Sequence, residues 1–600
     1  MLKPRMSPLW LAAPCLVLSM MADAKPQPPP ADVIYVHGTV YTADAADHVY
    51  EAVAIRAGRI AFVGTDVGAS AFVGPNTRQI DLADRTLMPG LIDGHMHPLE
   101  GGTNLRHCNL DYAQLTVPDM QRRIQACLNA TRDREPDGWL EVVSWFSQGM
   151  LPAGTDVTRE TLDSLHTTRP IYVTNTFGHT GLANSRALAL GGIMSATADP
   201  PDGRIARRAN GEPTGILEES AKGLVSKLIP PANPSEDVVA LEHALPAIAA
   251  QGVTSILDAD THADSIAAFA TIAKRGVLTV RVHLAPQILD EEMDHPRAAA
   301  ARVAAIARRY DQGPLRPAPG ITVRNAKIYL DGVINNPAFT GVMIDPYFVN
   351  AGSESEPRWQ PGTNRGPALF VPPAQLRALL IRLGRAGIDP HMHADGDGAV
   401  HAALDAIEAM RRALPGADIR PGIAHAEIVA PHDFARFGAL GAFPVLSFQW
   451  EKPAADTVDQ ARDYLGPARA RLLEPAGLLR AAGAPVAFGS DWPVDRLDEW
   501  FALKVAVTRT NAPSAGPAYA GRLGEDPGLT PIEALRAMTI VAARELHADR
   551  STGSLEVGKL ADLIVLDRNP LRIPAEDIAN VKVLQTMVGG RVVYEAPGVR

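Results

Sequence analysis

Cysteine is scarce in this chain: three in 600 residues, Cys15, Cys108 and Cys127. No two stand at the short spacing of a cysteine zinc site, so any metal must be held by imidazole and carboxylate. A basic block is lacking as well. Lys plus Arg number 57 against 67 Asp plus Glu, a formal net charge of -10, which argues against nucleic acid as a partner. There is no short-period repeat, and no low-complexity stretch beyond the proline-rich residues 25–30. With 46% hydrophobic and 21% charged residues, disorder and fibre are excluded. The apolar run from Leu9 to Met21 is too short for a comfortable membrane span. Lys3 and Arg5 precede it and Ala22-Asp23-Ala24 follows, the layout of a secretory signal cut after Ala24. The expectation is a periplasmic or secreted protein with no stable membrane anchor after cleavage. Cys15 would leave with the signal, and Cys108 and Cys127 would either form one disulfide or stay as two buried thiols.

Glycine and proline, 50 of each, suit many strand-to-helix loops and point to an α/β fold. Residues 32–85 read as short β hairpins (Ala52-Val53-Ala54-Ile55, Ile60-Ala61-Phe62-Val63). The same texture returns at Ala561 to Leu566 and Val581 to Tyr594, after a helix-like Pro531 to His547. The two ends are expected to pair into one small sheet domain. Between them, strands ending in polar residues alternate with alanine-rich helices such as Val238 to Ala250, Arg297 to Arg309 and Ala399 to Leu414. That alternation implies parallel βαβ units.

Five strand ends carry groups able to hold metal. In Leu91-Ile92-Asp93-Gly94-His95-Met96-His97, a period of two puts His95 and His97 on one face, with Ile92 and Met96 on the other. In Asn325 to Asp331 the same alternation turns Lys327, Tyr329 and Asp331 away from Ala326, Ile328 and Leu330. A buried ammonium is costly unless paired. Lys327 therefore either pairs with a carboxylate such as Asp331 or reacts with carbon dioxide to become an anionic carbamate ligand. Asp389-Pro390-His391-Met392-His393-Ala394-Asp395-Gly396-Asp397 and Gly422-Ile423-Ala424-His425-Ala426-Glu427 each bring imidazole to a strand end, where a histidine satisfied by a backbone carbonyl is the alternative. In Val486 to Pro493, Ala487 and Gly489 lie beneath Asp491 on its face and leave room for a metal-bound water, although Asp491 could instead cap the next helix.

These motifs resemble the metal-dependent amidohydrolase superfamily: Leu87-Met88-Pro89-Gly90-Leu91-Ile92-Asp93-Gly94-His95-Met96-His97, Gly489-Ser490-Asp491-Trp492-Pro493, and Gly553-Ser554-Leu555-Glu556-Val557-Gly558-Lys559-Leu560-Ala561-Asp562. Gly178 to Ser185, Gly211 to Leu217 and Lys327 to Gly332 are similar, more narrowly, to its YtcJ-like branch. The resemblance spans about residues 32–597 and implies a (β/α)8 TIM-type barrel with a two-part β-sandwich and an inserted α+β domain after the first barrel strand. The division it implies is signal 1–24, linker 25–31, sandwich 32–86 and 550–600, barrel 87–104 and 246–549, and insert 105–245. It further implies two divalent metal ions, usually zinc. His95, His97 and Asp491 would hold one and His393 and His425 the other, with a carbamate on Lys327 bridging both. His393 is preferred to His391 because an Ala-x-Gly-Asp run follows it. Phe177 before Gly178, and Ser144-Trp145-Phe146-Ser147-Gln148, depart from the pattern of relatives and bear on the substrate.

Two divalent ions sharing a water lower its pKa from about 15.7 towards about 7. Asp491 would take the proton and pass it to the leaving nitrogen. The expected activity is hydrolysis of an amide or cyclic amide bond, a C–N bond other than a peptide bond, in a small molecule. Ring deamination or ester hydrolysis would use the same site, and a non-catalytic envelope binding or regulatory protein is the reading from another class. His179, Trp145, Trp450 and Trp492 are candidates for contact with the substrate. A homodimer is the default assembly.

Overall fold

The computed structural model describes residues 28–598 apart from 133–136, 153, 177, 179, 202, 231–232, 337 and 354. The expected signal, Phe177 and His179 lie outside the described residues. Eight strands form the centre: β1 Leu91–Met96, β2 Val253–Thr261, β3 Arg281–Pro286, β4 Asn325–Tyr329, β5 Asp389–Ala394, β6 Gly422–His425, β7 Phe443–Leu446 and β8 Ala487–Phe488. All their pairings are parallel, β1 to β3 in one sheet and β4 to β8 in another. Hydrogen bonds also cross both seams. Ile288 N donates to Lys327 O at 2.8 Å between the end of β3 and β4, and Asp491 N donates to His95 O at 2.7 Å between the turn after β8 and β1.

Helices alternate with these strands, each with its apolar stripe buried. Pro234–Ala250 starts at a capping box of Asn233 and Glu236, with Pro234 in the first turn. Ala263–Arg275 ends at Gly276, whose φ of +69° closes the helix. In Pro373–Arg385 the buried Leu376, Leu379, Leu380 and Leu383 follow the spacing of one helix face. The helix-like Pro531 to His547 is broken into Pro531–Arg536, a π-helical Ala537–Val541 and Ala542–Glu545. Among the described residues, no helix is long and apolar enough to cross a membrane.

The two ends of the chain meet. Leu563–Leu566 pairs antiparallel with Thr86–Pro89 in a six-stranded sheet, beside a four-stranded sheet built from 33–81. A fully buried bidentate pair, Arg281 to Asp562 at 2.7 and 2.8 Å, fastens β3 to this end region. Between β1 and β2 the chain forms a separate six-stranded mixed sheet, with an apolar cluster of its own that includes Met120, Ile124, Val142 and Val173.

In that segment Cys108 and Cys127 form a disulfide, Cα atoms 5.7 Å apart, which decides between the two states that the sequence left open. Closing a loop of 19 residues removes unfolded-state entropy equivalent to about 3 kcal/mol. Cys108→Ser with Cys127→Ser is therefore expected to destabilise this segment by roughly that amount, read from its denaturation midpoint against the oxidised protein. Equal midpoints would show that the bond contributes nothing.

Candidate metal centre

The C-terminal ends of β1, β4, β5 and β6 and the turn after β8 converge on one cavity of about 240 Å³, lined by His97, Lys327, His393, His425, Asp491 and Trp450 among others. His95 lies just behind this wall. One nitrogen each of His95 and His425 and one oxygen of Asp491 lie within 4.8 Å of one another, and so do donor atoms of His393, Asp395 and His425. His97 Nε2 is 2.9 Å from Asp491 Oδ1, and His95 Nε2 is 3.2 Å from it. His425 thus belongs to both groups, and Asp395 joins the second, which the sequence reading did not include.

The local backbone is held in place for this. His425 and Asp491 adopt left-handed φ values of +72° and +56°, a conformation costing non-glycine residues about 1–3 kcal/mol each. Asp93 Oδ1 accepts from the amides of His95 and Ser490, both at 3.0 Å, and so ties β1 to the Asp491 turn. Burial pushes the Asp93 carboxyl up to about 6. Gly489 serves close approach, because a Cβ there would lie 2.4 Å from that of His95. The room that the sequence reading reserved for a water is filled by β1.

A second expectation also fails in detail. Ile92 does not share an outer face with Met96; it packs with Leu257, Ala285, Val445 and Ala487 from β2, β3, β7 and β8. Two register shifts in the β1–β2 pairing interrupt the strict alternation. In β4 the alternation holds, with Ala326, Ile328 and Leu330 in the main apolar core and Lys327 and Tyr329 at the cavity.

Lys327 is 1% exposed. Its Nζ stands 3.3 Å from His95 Nε2 and 4.5 Å from the centre of the Tyr329 ring, and among the described residues no carboxylate pairs with it. Asp331, the alternative partner, is taken by the amides of Val342, Asp395 and Gly396 at 2.8, 3.0 and 3.0 Å. Burial holds the Lys327 ammonium below its usual pKa. An uncharged amine is the form that adds carbon dioxide.

The donor set fits divalent metal. Burial keeps His95 and His425 well below the ordinary imidazole pKa, hence in the neutral, ligating form. His425 Nδ1 and Asp395 Oδ1 are buried without a hydrogen-bond partner, as expected of groups with another use. Imidazole with carboxylate is a zinc-type set.

His391, the histidine passed over in the sequence, lies fully buried below the cavity. Its Nε2 is 2.8 Å from His95 Nδ1 and its Nδ1 is 3.2 Å from Glu545 Oε1. The His-x-His spacing in β5 was its only signal; Glu545 had none. Trp450 stacks on His425, ring centres 5.5 Å apart. Trp145 is a correction: it lies in the apolar core of the segment between β1 and β2, with its Nε1 donating to Met150 Sδ at 3.4 Å, away from the cavity. Trp492 packs against Gly101.

Residues 78–594 match the sequence profile described as "Amidohydrolase family". The N-substituted formamide deformylase of Arthrobacter pascens is 27% identical over 94% of this chain and 99% of its own length. YtcJ of Bacillus subtilis (strain 168), provisionally an amidohydrolase, is also 27% identical over 94% of this chain and 99% of its own length. An uncharacterized metal-dependent hydrolase from Pyrococcus horikoshii OT3 superposes with a TM-score of 0.69 at 21% identity, over 90% of this chain and 99% of that one. At that identity the likeness concerns the fold alone.

Proposed function

The chain belongs to the amidohydrolase family, and from that premise we propose that it is an exported, metal-dependent hydrolase cleaving an amide or cyclic amide C–N bond of a small molecule. The observation that carries this reading is the gathering of His97, Lys327, His393, His425 and Asp491 around one cavity with His95 just behind its wall, Lys327 being buried and, among the described residues, without a carboxylate partner. The two parallel sheets are read as halves of one (β/α)8 barrel, supported by the hydrogen bonds across both seams. The terminal sheets are read as a two-part sandwich, and residues 105–245 as an inserted domain. In such a barrel the C-terminal strand ends carry the chemistry.

His95, His97 and Asp491 would hold one ion, and His393 and His425 the other, with Lys327 as a carbamate between them. Two divalent ions, zinc by the donor set, would supply Lewis-acid polarisation of the carbonyl and acidify a water. Asp491 provides the proton path. Burial works to raise its pKa, but the His97 hydrogen bond and the charges of His425 and Lys327 outweigh burial and hold it below the usual carboxylate range. It is therefore ionised at neutral pH, able to accept a proton from the attacking water and return it to the leaving nitrogen. Trp450 supplies an apolar wall beside His425. The Cys108–Cys127 bond supports an oxidising compartment, and the formamide-cleaving relative supports an amide substrate.

Metal analysis of chain 25–600, purified without chelator, tests the reading. About two divalent ions per chain is the expected result. One ion would retain a hydrolase without the Lys327 bridge. None, with no turnover on adding metal, would overturn the hydrolase.

A further inference from the structure

The cavity contains more carboxyl groups than the proposed metal ligands account for. Glu427, Asp456 and Glu474 also line it. Among the described residues none of the three pairs with Lys or Arg. Of the basic groups nearby, Arg509 is engaged by Glu451 at 3.1 Å and Asp526 at 3.5 Å, Lys452 by the Gln449 carbonyl, 3.7 Å from Asp495, and Lys327 is the lysine read above as a carbamate.

Glu474 is held there against its own preferences. It is 1% exposed, its Oε1 has no hydrogen-bond partner, and its backbone takes a left-handed φ of +56°. That turn is clamped on both sides. Glu474 N donates to Glu427 O at 2.8 Å, while Arg509 Nη1 and Nη2 donate to the carbonyls of Glu474 and Leu473 at 2.7 and 2.9 Å. A fold that strains a residue and leaves an oxygen of its buried carboxyl without a hydrogen-bond partner gains nothing in stability from that arrangement. A positively charged ligand arriving in the cavity supplies the missing partner. The Trp450 face borders the same space, and an indole attracts cations.

We propose that Glu427, Asp456 and Glu474 form a subsite for an organic cation, so that the amide cleaved here carries a protonated amine or a guanidinium group away from the scissile bond. The choice of substrate rests on the hydrolase reading; the cation site does not.

Calorimetric titration of the metal-loaded full chain with n-butylammonium, n-butylguanidinium and neutral n-butanol separates the two. At least one cation should bind about tenfold more tightly than butanol. Glu474→Gln and, on a different element, Asp456→Asn should each erase most of that difference at an unchanged melting temperature. Equal affinities for cations and alcohol, or a cation preference that survives in both folded variants, would overturn the subsite. In parallel, monoacetyl-1,4-diaminobutane should be hydrolysed with a kcat/KM about tenfold or more above that of N-butylacetamide. Turnover without that preference would remove the subsite and leave the hydrolase. Cation binding that depends on Glu474, with neither amide cleaved, would retain the subsite and remove the hydrolase.

Discussion

Asp491→Asn should lower kcat/KM by about 10²–10⁴-fold, the range expected when a positioned proton acceptor is lost. Asparagine matches aspartate in shape, and the turn that carries it is held by backbone bonds that the substitution leaves alone: Asp491 N to His95 O at 2.7 Å and Ser490 N to Asp93 Oδ1 at 3.0 Å. The chain should therefore fold with an unchanged circular dichroism spectrum. An amide oxygen is far too weak a base to take a proton from water at neutral pH. It also removes the anion that, against the effect of burial, raises the pKa of His97. The check is a pair of pH–rate profiles with metal content measured alongside. Activity within about threefold of wild type, at equal metal content, would remove Asp491 as the proton acceptor.

Lys327→Ala should be nearly as severe, and by a different route. On the proposed reading the variant would lose at least one of the two ions, with activity falling about 10²-fold or more, because the anion proposed to bridge them would be gone. Adding formate or acetate should restore part of both, since a small carboxylate can enter the space that the proposed carbamate would occupy. That rescue separates a missing ligand from a damaged fold. Full metal occupancy in Lys327→Ala would exclude the carbamate, and the buried amine beside His95 Nε2 at 3.3 Å would need a different account.

Much of the centre was legible along the chain because strands have a short, strict period. The alternation in Asn325 to Asp331 was enough to turn Lys327 to the cavity and Ile328 to the core. The same rule misplaced Ile92, since a register shift depends on the neighbouring strand and leaves no mark in a single strand's sequence. Gly489 was read as space for water, yet its role is set by His95 from nearly 400 residues away, a contact made only when β1 and β8 meet. Trp145 has the residue type of a substrate contact, whereas the apolar core of the segment between β1 and β2 takes up its side chain.

Residue order alone determined the α/β alternation, the pairing of the two chain ends, the absence of any cysteine metal site, and the histidine, lysine and aspartate positions from which a centre could be built. Each of these follows from local chemistry, from a period of two or from composition, and requires no knowledge of distant neighbours. Tertiary structure decided the rest: that among the described residues Lys327 has no carboxylate partner, that His425 serves both donor groups, that His391 stands beneath His95 on Glu545, and that Glu474 is clamped in the cavity wall with its Oε1 unbonded among the described residues. These are relations between side chains hundreds of residues apart. Charge compensation and burial belong to the packed neighbourhood, and a linear sequence does not state which groups that neighbourhood will contain.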